Sequence, residues 1–172
     1  MSSPVEFKHE EPPKEFKRPK PFYVTWKANE GIPVYESFHI DDLKAVKLSH
    51  WERFGCDAAF INLADPYLVT AIVLELKPGQ STKAVRHIFE TWCYIVKGRG
   101  ATNVQQKGHQ DQVVKWRDHS LFSPPLNTTY QHRNVDSSAP ARILMVANAP
   151  LLMNLFHSED RSEEHTSELQ SH

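Results

Sequence analysis

Leu76-Lys-Pro-Gly79-Gln-Ser-Thr-Lys-Ala-Val85-Arg-His87-Ile-Phe-Glu90-Thr91-Trp-Cys-Tyr-Ile-Val-Lys-Gly98-Arg-Gly100 is the stretch on which the fold reading turns. Pro78-Gly79 is turn chemistry, and Gly98-Arg99-Gly100 suits a hairpin between Trp92 to Val96 and Ala101 to Gln105, where a residue with positive φ is needed. The apolar residues between these glycines are β-branched and aromatic, the composition of a strand. One histidine and one acid, His87 and Glu90, sit just ahead of that strand.

The same pattern extends in both directions. Short apolar runs bounded by Gly, Pro, Asn or Asp predict strands at Val34 to His39, Ala58 to Leu63, Leu68 to Leu76, Trp92 to Val96, Ala101 to Gln105, Gln112 to Trp116, Ser120 to Phe122, Thr129 to Asn134 and Ala141 to Ala147. Helical signals are few: Asp41-Asp42-Leu43 opens one short turn before Lys47, and Ser49 caps another through Trp51 to Phe54. Many short strands with frequent turn signals point to an all-β sandwich or small barrel. With 172 residues, 40% of them hydrophobic, there is enough chain for one domain of ordinary size.

Composition narrows the function. Apolar runs fall well short of a membrane span. With net charge -1 and basic residues mixed among acids, no one-signed field would gather a nucleic acid backbone. Cys56 and Cys93 make no disulfide framework, and the N-terminus lacks a basic start followed by an apolar run, so a cytoplasmic location is expected. Residues 1–33 read as a flexible Pro-rich, charged arm, whose Phe7, Phe16, Phe22, Tyr23 and Trp26 are spaced to lie across a neighbouring surface. Residues 34–157 are the expected domain and 158–172 a non-native or disordered tail. Arg161 to His172 has no hydrophobic period and resembles the translation of a common sequencing adapter, so it is left out of the fold reading.

The quoted stretch resembles the first motif of the cupin superfamily, G-x5-H-x-H-x3-E-x6-G. Its glycines fall on Gly79 and Gly98 and its second histidine on His87, while Val85 and Thr91 stand where the first histidine and the acid belong. The second motif, G-x5-P-x-G-x2-H-x3-N, places its histidine on His132, with Pro124-Pro125-Leu126-Asn127 at its proline turn and Asn134 two residues early. Arg86-His87, Ser120 to Asn127, Tyr130-Gln131-His132-Arg133-Asn134 and Asn148-Ala149-Pro150 through His157 are similar to the first half of two-domain bacterial cupins with a gentisate-dioxygenase-like layout. The resemblance implies a jelly-roll barrel, a second cupin domain beyond Asp160, and pairing of barrels, either within one chain or in a homo-oligomer.

It also implies a mononuclear iron, manganese or nickel ion. His87 and His132 are its expected ligands and Glu90 the third, although strand alternation would turn Glu90 away from the interior unless a loop intervenes. Tyr130, Gln131 and Arg86 flank the histidines and are the candidate contacts for a small organic substrate, acidic or aromatic. Whether the protein is an enzyme of metal-dependent, dioxygenase-like type stays open. The alternative is a non-catalytic cupin module that supports a C-terminal partner domain. His109 and His119 are expected in solvated turns, and Cys93 as a buried, inert thiol.

Overall fold

The strands of the described residues form two facing sheets, sorted by alternation of inward and outward side chains in the longer ones. The computed structural model of the protein describes residues 20–63, 67–157 and 163–164. In chain order the elements are α1 (Phe22–Asn29), β1 (Val34–Ser37), β2 (Ser49–Trp51), β3 (Cys56–Leu63), β4 (Thr70–Leu76), β5 (Val85–His87), β6 (Thr91–Lys97), β7 (Gly100–Gln105), β8 (Gln112–Trp116), β9 (Leu121–Phe122), β10 (Thr129–Asn134), β11 (Ala141–Ala147), α2 (Ala149–Phe156) and β12 (Glu163–Glu164). One sheet runs β1-β3-β4-β11-β6-β9, with β2 also paired to β3; the other runs β12-β5-β10-β7-β8. Every pairing is antiparallel except β1 with β3.

Between the sheets, Phe60, Leu74, Ile95 and Ile143 of the first meet Val104, Trp116 and Tyr130 of the second in one buried cluster. A smaller cluster lies on the outer side of the first sheet, where Val46, with Leu43 and Leu48 against it, covers Ala59, Ile61 and Val73. The turn glycines behave as expected at Gly79 (φ +72°) and Gly98 (φ +97°). Gly100 differs: its φ is not positive, and it is required because an added Cβ would lie 2.1 Å from Trp116 and 2.2 Å from the Arg133 carbonyl.

All nine expected strands are present, within a few residues of their expected ends. Two local readings are corrected. Asp42 caps only a hydrogen-bonded turn, accepting from Lys44 N through its side chain and from Ala45 N through its carbonyl. Ser49 starts strand β2 rather than a helix, because the register Ser49↔Ala58 to Trp51↔Cys56 satisfies its backbone on β3.

The arm is corrected more substantially. Residues 1–19 lie outside the described residues, but α1 packs into the main core through Tyr23 and Trp26. Tyr23 donates its hydroxyl to Thr70 Oγ1 (2.7 Å) and its N–H to Asn154 Oδ1 (2.9 Å). Two large aromatics three residues apart fall on one helical face, and their burial outweighs the Pro-rich context on which the arm reading rested. Of the adapter-like stretch, only Glu163–Glu164 is described, as β12 alongside Arg86 and His87 of β5.

Candidate functional site

His87 and His132 both point into the barrel interior, brought together by β5 and β10, whose register sets Tyr130 opposite Val85. His87 is 8% exposed and His132 fully buried. The His87 ring stacks on Phe89 at 3.8 Å and 3°. Its Nδ1 lies 2.8 Å from the Phe89 carbonyl and its Nε2 2.7 Å from the Tyr130 hydroxyl. Tyr130 stands between the two histidines, with ring centroids 5.3 Å from His87 and 5.2 Å from His132. On the far side, His132 Nδ1 is 2.8 Å from Thr102 Oγ1, which also accepts the Trp116 indole N–H at 3.0 Å.

Donor and acceptor chemistry assigns the protons along this chain. A carbonyl only accepts, so His87 carries its proton on Nδ1, and Nε2 accepts from the Tyr130 hydroxyl. Thr102 oxygen already accepts from Trp116, and its own proton satisfies His132 Nδ1. That leaves the His132 proton on Nε2, a buried atom with no protein partner. The opposite tautomer would strand two groups, the Thr102 hydroxyl proton and the Nε2 lone pair, at a further cost of about 1–3 kcal/mol. Burial lowers the His132 pKa to about 3, with repulsion from His87 adding to it. Burial likewise lowers that of His87 to about 4, against the opposing bond to Phe89. Both rings are neutral at pH 7.

These residues do not fit a mononuclear iron, manganese or nickel ion. Both His87 ring nitrogens are engaged by protein atoms, which leaves His132 Nε2 as the one free imidazole nitrogen of the pair, with no carboxylate or third imidazole beside it among the described residues. Glu90 corrects the expected ligand set: it is exposed, accepts from Trp92 Nε1 at 2.9 Å, and its backbone N–H is tied to Asn148 Oδ1. No loop rescues it, because the Asn148 tether holds it at the outer edge as β6 begins. Thr91 takes the inward position, its hydroxyl 3.5 Å from His87 Nε2. Among the described residues no group of three or more His, Cys, Asp or Glu side chains converges.

Of the expected substrate contacts, Tyr130 is interior and 1% exposed. Gln131 is not part of the interior. Alternation turns it to the other face, where its amide donates to the Thr82 carbonyl (2.7 Å) and so clamps residue 82 against β10. Arg86 sits half-buried at the strand end, bonded through Nε to Asn127 Oδ1 (3.0 Å). His109 and His119 are exposed, the latter against the Tyr94 hydroxyl (2.7 Å). Burial raises the thiol pKa of Cys56 to about 12 and that of Cys93 further, which leaves both inert as nucleophiles.

Sequence reasoning missed the feature next to His87, a cleft of about 30 Å³ under α1. Tyr23 and Trp26 of the helix line it together with the apolar Ile72, Val85, Phe89 and Met145 and the polar Arg53, Thr70, Arg86 and His87. Trp26 Nε1 is buried without a partner. The helix is followed by Glu30, which accepts from Trp51 Nε1 (2.5 Å) and pairs with Arg53 (2.7 Å). The signal that could have found it is the Tyr23 and Trp26 spacing.

The two facing sheets are arranged as in several solved structures. The cupin domain of Schizosaccharomyces pombe Cnp3 matches with TM-score 0.53 and 16% identity, over 67% of this chain and 72% of that one. The Drosophila melanogaster CENP-C cupin domain matches with TM-score 0.51 and 12% identity, over 64% and 75%. This is a cupin fold. A third match is a Lactobacillus farciminis oxalate decarboxylase in a formate complex, with TM-score 0.51, 16% identity and 63% of this chain covered; the cupin described here spans 34% of that chain. No family model matches the chain, and no curated protein matches it in sequence. Likeness this distant establishes the cupin architecture and leaves its chemistry to the site. Among the described residues no helix is long and apolar enough to cross a membrane.

Proposed function

We propose that this cupin binds a small organic molecule, without a resident metal, in the cleft between α1 and the barrel. The observation that carries the reading is Trp26, a residue with a buried, unpartnered Nε1, in the lining of an aromatic-rich cavity whose polar lining is Arg53, Thr70, Arg86 and His87. Such a lining selects a flat, mostly apolar ligand bearing one hydrogen-bond-accepting or acidic group, with the indole N–H and a guanidinium at its polar end. At about 30 Å³ the cleft admits only one or two waters while α1 is seated, so the ligand enters as the helix shifts outward. The dioxygenase-like chemistry expected from the resemblance needs an ion that the His87 and His132 donor set does not fit, and no step is assigned to one.

Titration of the 172-residue chain with benzoate, read by calorimetry and by the rise in melting temperature, tests the reading. Saturable binding that Trp26→Phe weakens about 10-fold supports it. Absence of binding by benzoate, benzamide and phenol alike would sink it. The second reading, a non-catalytic module that works by pairing with another domain, is favoured by a different observation: the partly uncovered apolar outer face of the larger sheet, where Leu68 and Val69 are exposed.

A further inference from the structure

Three N–H donors converge on one carboxylate at the end of α1. Glu30 accepts from Trp51 Nε1 (2.5 Å) and Arg53 Nε (3.0 Å) through Oε2, and from Arg53 Nη2 (2.7 Å) through Oε1. The guanidinium thus holds both oxygens in its planar fork, the geometry in which arginine recognises carboxylates. The Glu30 and Arg53 side chains are each 12% exposed, so the pair is largely shielded from water. Trp51 and Arg53 also line the cleft, together with Trp26 and Phe54. The Arg53 guanidinium carbon lies 5.1 Å from the centroid of the Trp26 ring, and Trp51 stacks on Phe54 at 4.9 Å and 23°. Flat aromatic surfaces and a carboxylate-binding fork therefore meet in one lining. The backbone beside Glu30 is free to turn, because Gly31 has a φ of +70° and an added Cβ there would meet nothing.

We propose that Trp51 and Arg53 form a carboxylate site which Glu30 occupies as an internal competitor, and that an aromatic carboxylate entering the cleft displaces Glu30 and, with it, α1. The inference rests on the cleft reading above, and adds to it the group the ligand must carry and the event that opens the helix. The three donors that satisfy Glu30 also satisfy a ligand carboxylate, whose ring then lies against Trp26 and Phe54. Glu30 moves out to water, where an ionised carboxylate is fully solvated, so the exchange buries no uncompensated charge. A neutral ligand cannot make the same exchange, because it breaks the Glu30–Arg53 ion pair and puts no anion in its place. At the other end of α1 the ties are neutral, from the Tyr23 hydroxyl to Thr70 and from its N–H to Asn154, so the charge-assisted bonds of Glu30 are the stronger latch.

Two probes on the full chain test the site and the competition separately. The first is acetate. The melting temperature of Glu30→Ala should rise saturably with acetate and not with chloride at equal ionic strength, while the parent responds to neither. The second is calorimetric titration with benzoate and benzamide. Apparent affinity is reduced to the fraction of molecules in which Glu30 is unseated, so Glu30→Ala should tighten benzoate about 10-fold or more and benzamide less than about 3-fold. Adding Arg53→Lys, which keeps the charge and loses the fork, should remove most of the benzoate gain. Circular dichroism checks that the variants fold, and Glu30→Gln, which keeps an acceptor for the three N–H groups, carries the same test in a milder form. An acetate response no larger than that to chloride would overturn the carboxylate site. Benzoate binding equally to parent and variant, or gaining no more than benzamide, would overturn the competition and leave the cleft reading standing. Binding of neither ligand to parent or variant would overturn both.

Discussion

His132 Nδ1 and Thr102 Oγ1 share one proton across 2.8 Å in the middle of the barrel, and that contact decides what the histidine offers to the interior. The Thr102 oxygen accepts from Trp116, and giving its proton to His132 Nδ1 uses the hydroxyl's only donor, which leaves the other ring nitrogen as the N–H. Thr102→Val keeps the shape and removes both bonds, leaving His132 Nδ1 and Trp116 Nε1 buried and unpaired. We expect a loss of about 2–5 kcal/mol in urea unfolding, against about 1 kcal/mol for Thr102→Ser, which keeps the hydroxyl. Equal stability of the valine variant and the parent would contradict the buried hydrogen bonds of Thr102 to His132 and Trp116.

Stability should fall in mild acid. The two interior histidines are neutral in the folded barrel, with pKa values lowered to about 4 and about 3, while in the unfolded chain they titrate near their ordinary value of 6.5. Below pH 6.5 the unfolded state therefore binds more protons, so stability is lost as pH falls toward 4 and levels off only below the folded values. The slope should reach about 1 kcal/mol per pH unit for each histidine. His132→Gln should flatten it by roughly half. A denaturation midpoint that does not change between pH 7 and pH 4.5 would contradict the neutral pair.

Much of the fold was legible because strands declare themselves by composition and by the turns that bound them. Thr129 to Asn134 and Ala141 to Ala147 read true to the residue, and alternation alone puts Tyr130 and His132 on one face and Gln131 on the other. The same rule argued against Glu90, and Thr91 indeed faces inward in its place. What escaped were elements whose existence depends on tertiary contact. The three-residue strand β5 is too short for a period, and α1 has little amphipathic pattern beyond Tyr23 and Trp26. α2 did carry a signal, Asn148 ahead of Pro150 at the start of an apolar run, which is helix-opening chemistry.

The helix α1 should count as part of the folded body. Compared with deletion of residues 1–19, deletion through residue 33 also removes two buried aromatics and should cost about 4 kcal/mol or more beyond it. Tyr23→Phe, which removes only the bond to Thr70, should cost about 1 kcal/mol. Limited proteolysis with mass spectrometry provides a second check, since cleavage between Phe22 and Asn29 in the native chain would contradict the packed helix.

Gly100 is the tightest backbone position in the barrel. A methyl group there meets the Trp116 ring and the Arg133 carbonyl, and neither can retreat without opening the β7 pairings. Gly100→Ala should lose about 3 kcal/mol, whereas Gly108→Ala, in open space with positive φ, should lose only about 1 kcal/mol. A thermal melt of the two variants side by side checks the order.

The most direct test of the central claim, that the interior histidines are neutral, each bonded to its own protein partners, and not a metal site, is nitrogen NMR of histidine-labelled protein at pH 7, before and after one equivalent of Mn²⁺. We expect His87 as the Nδ1–H and His132 as the Nε2–H tautomer, with both ring signals unaffected by the ion. Selective broadening of both rings at stoichiometric Mn²⁺, or a lone pair on His132 Nε2, would contradict it.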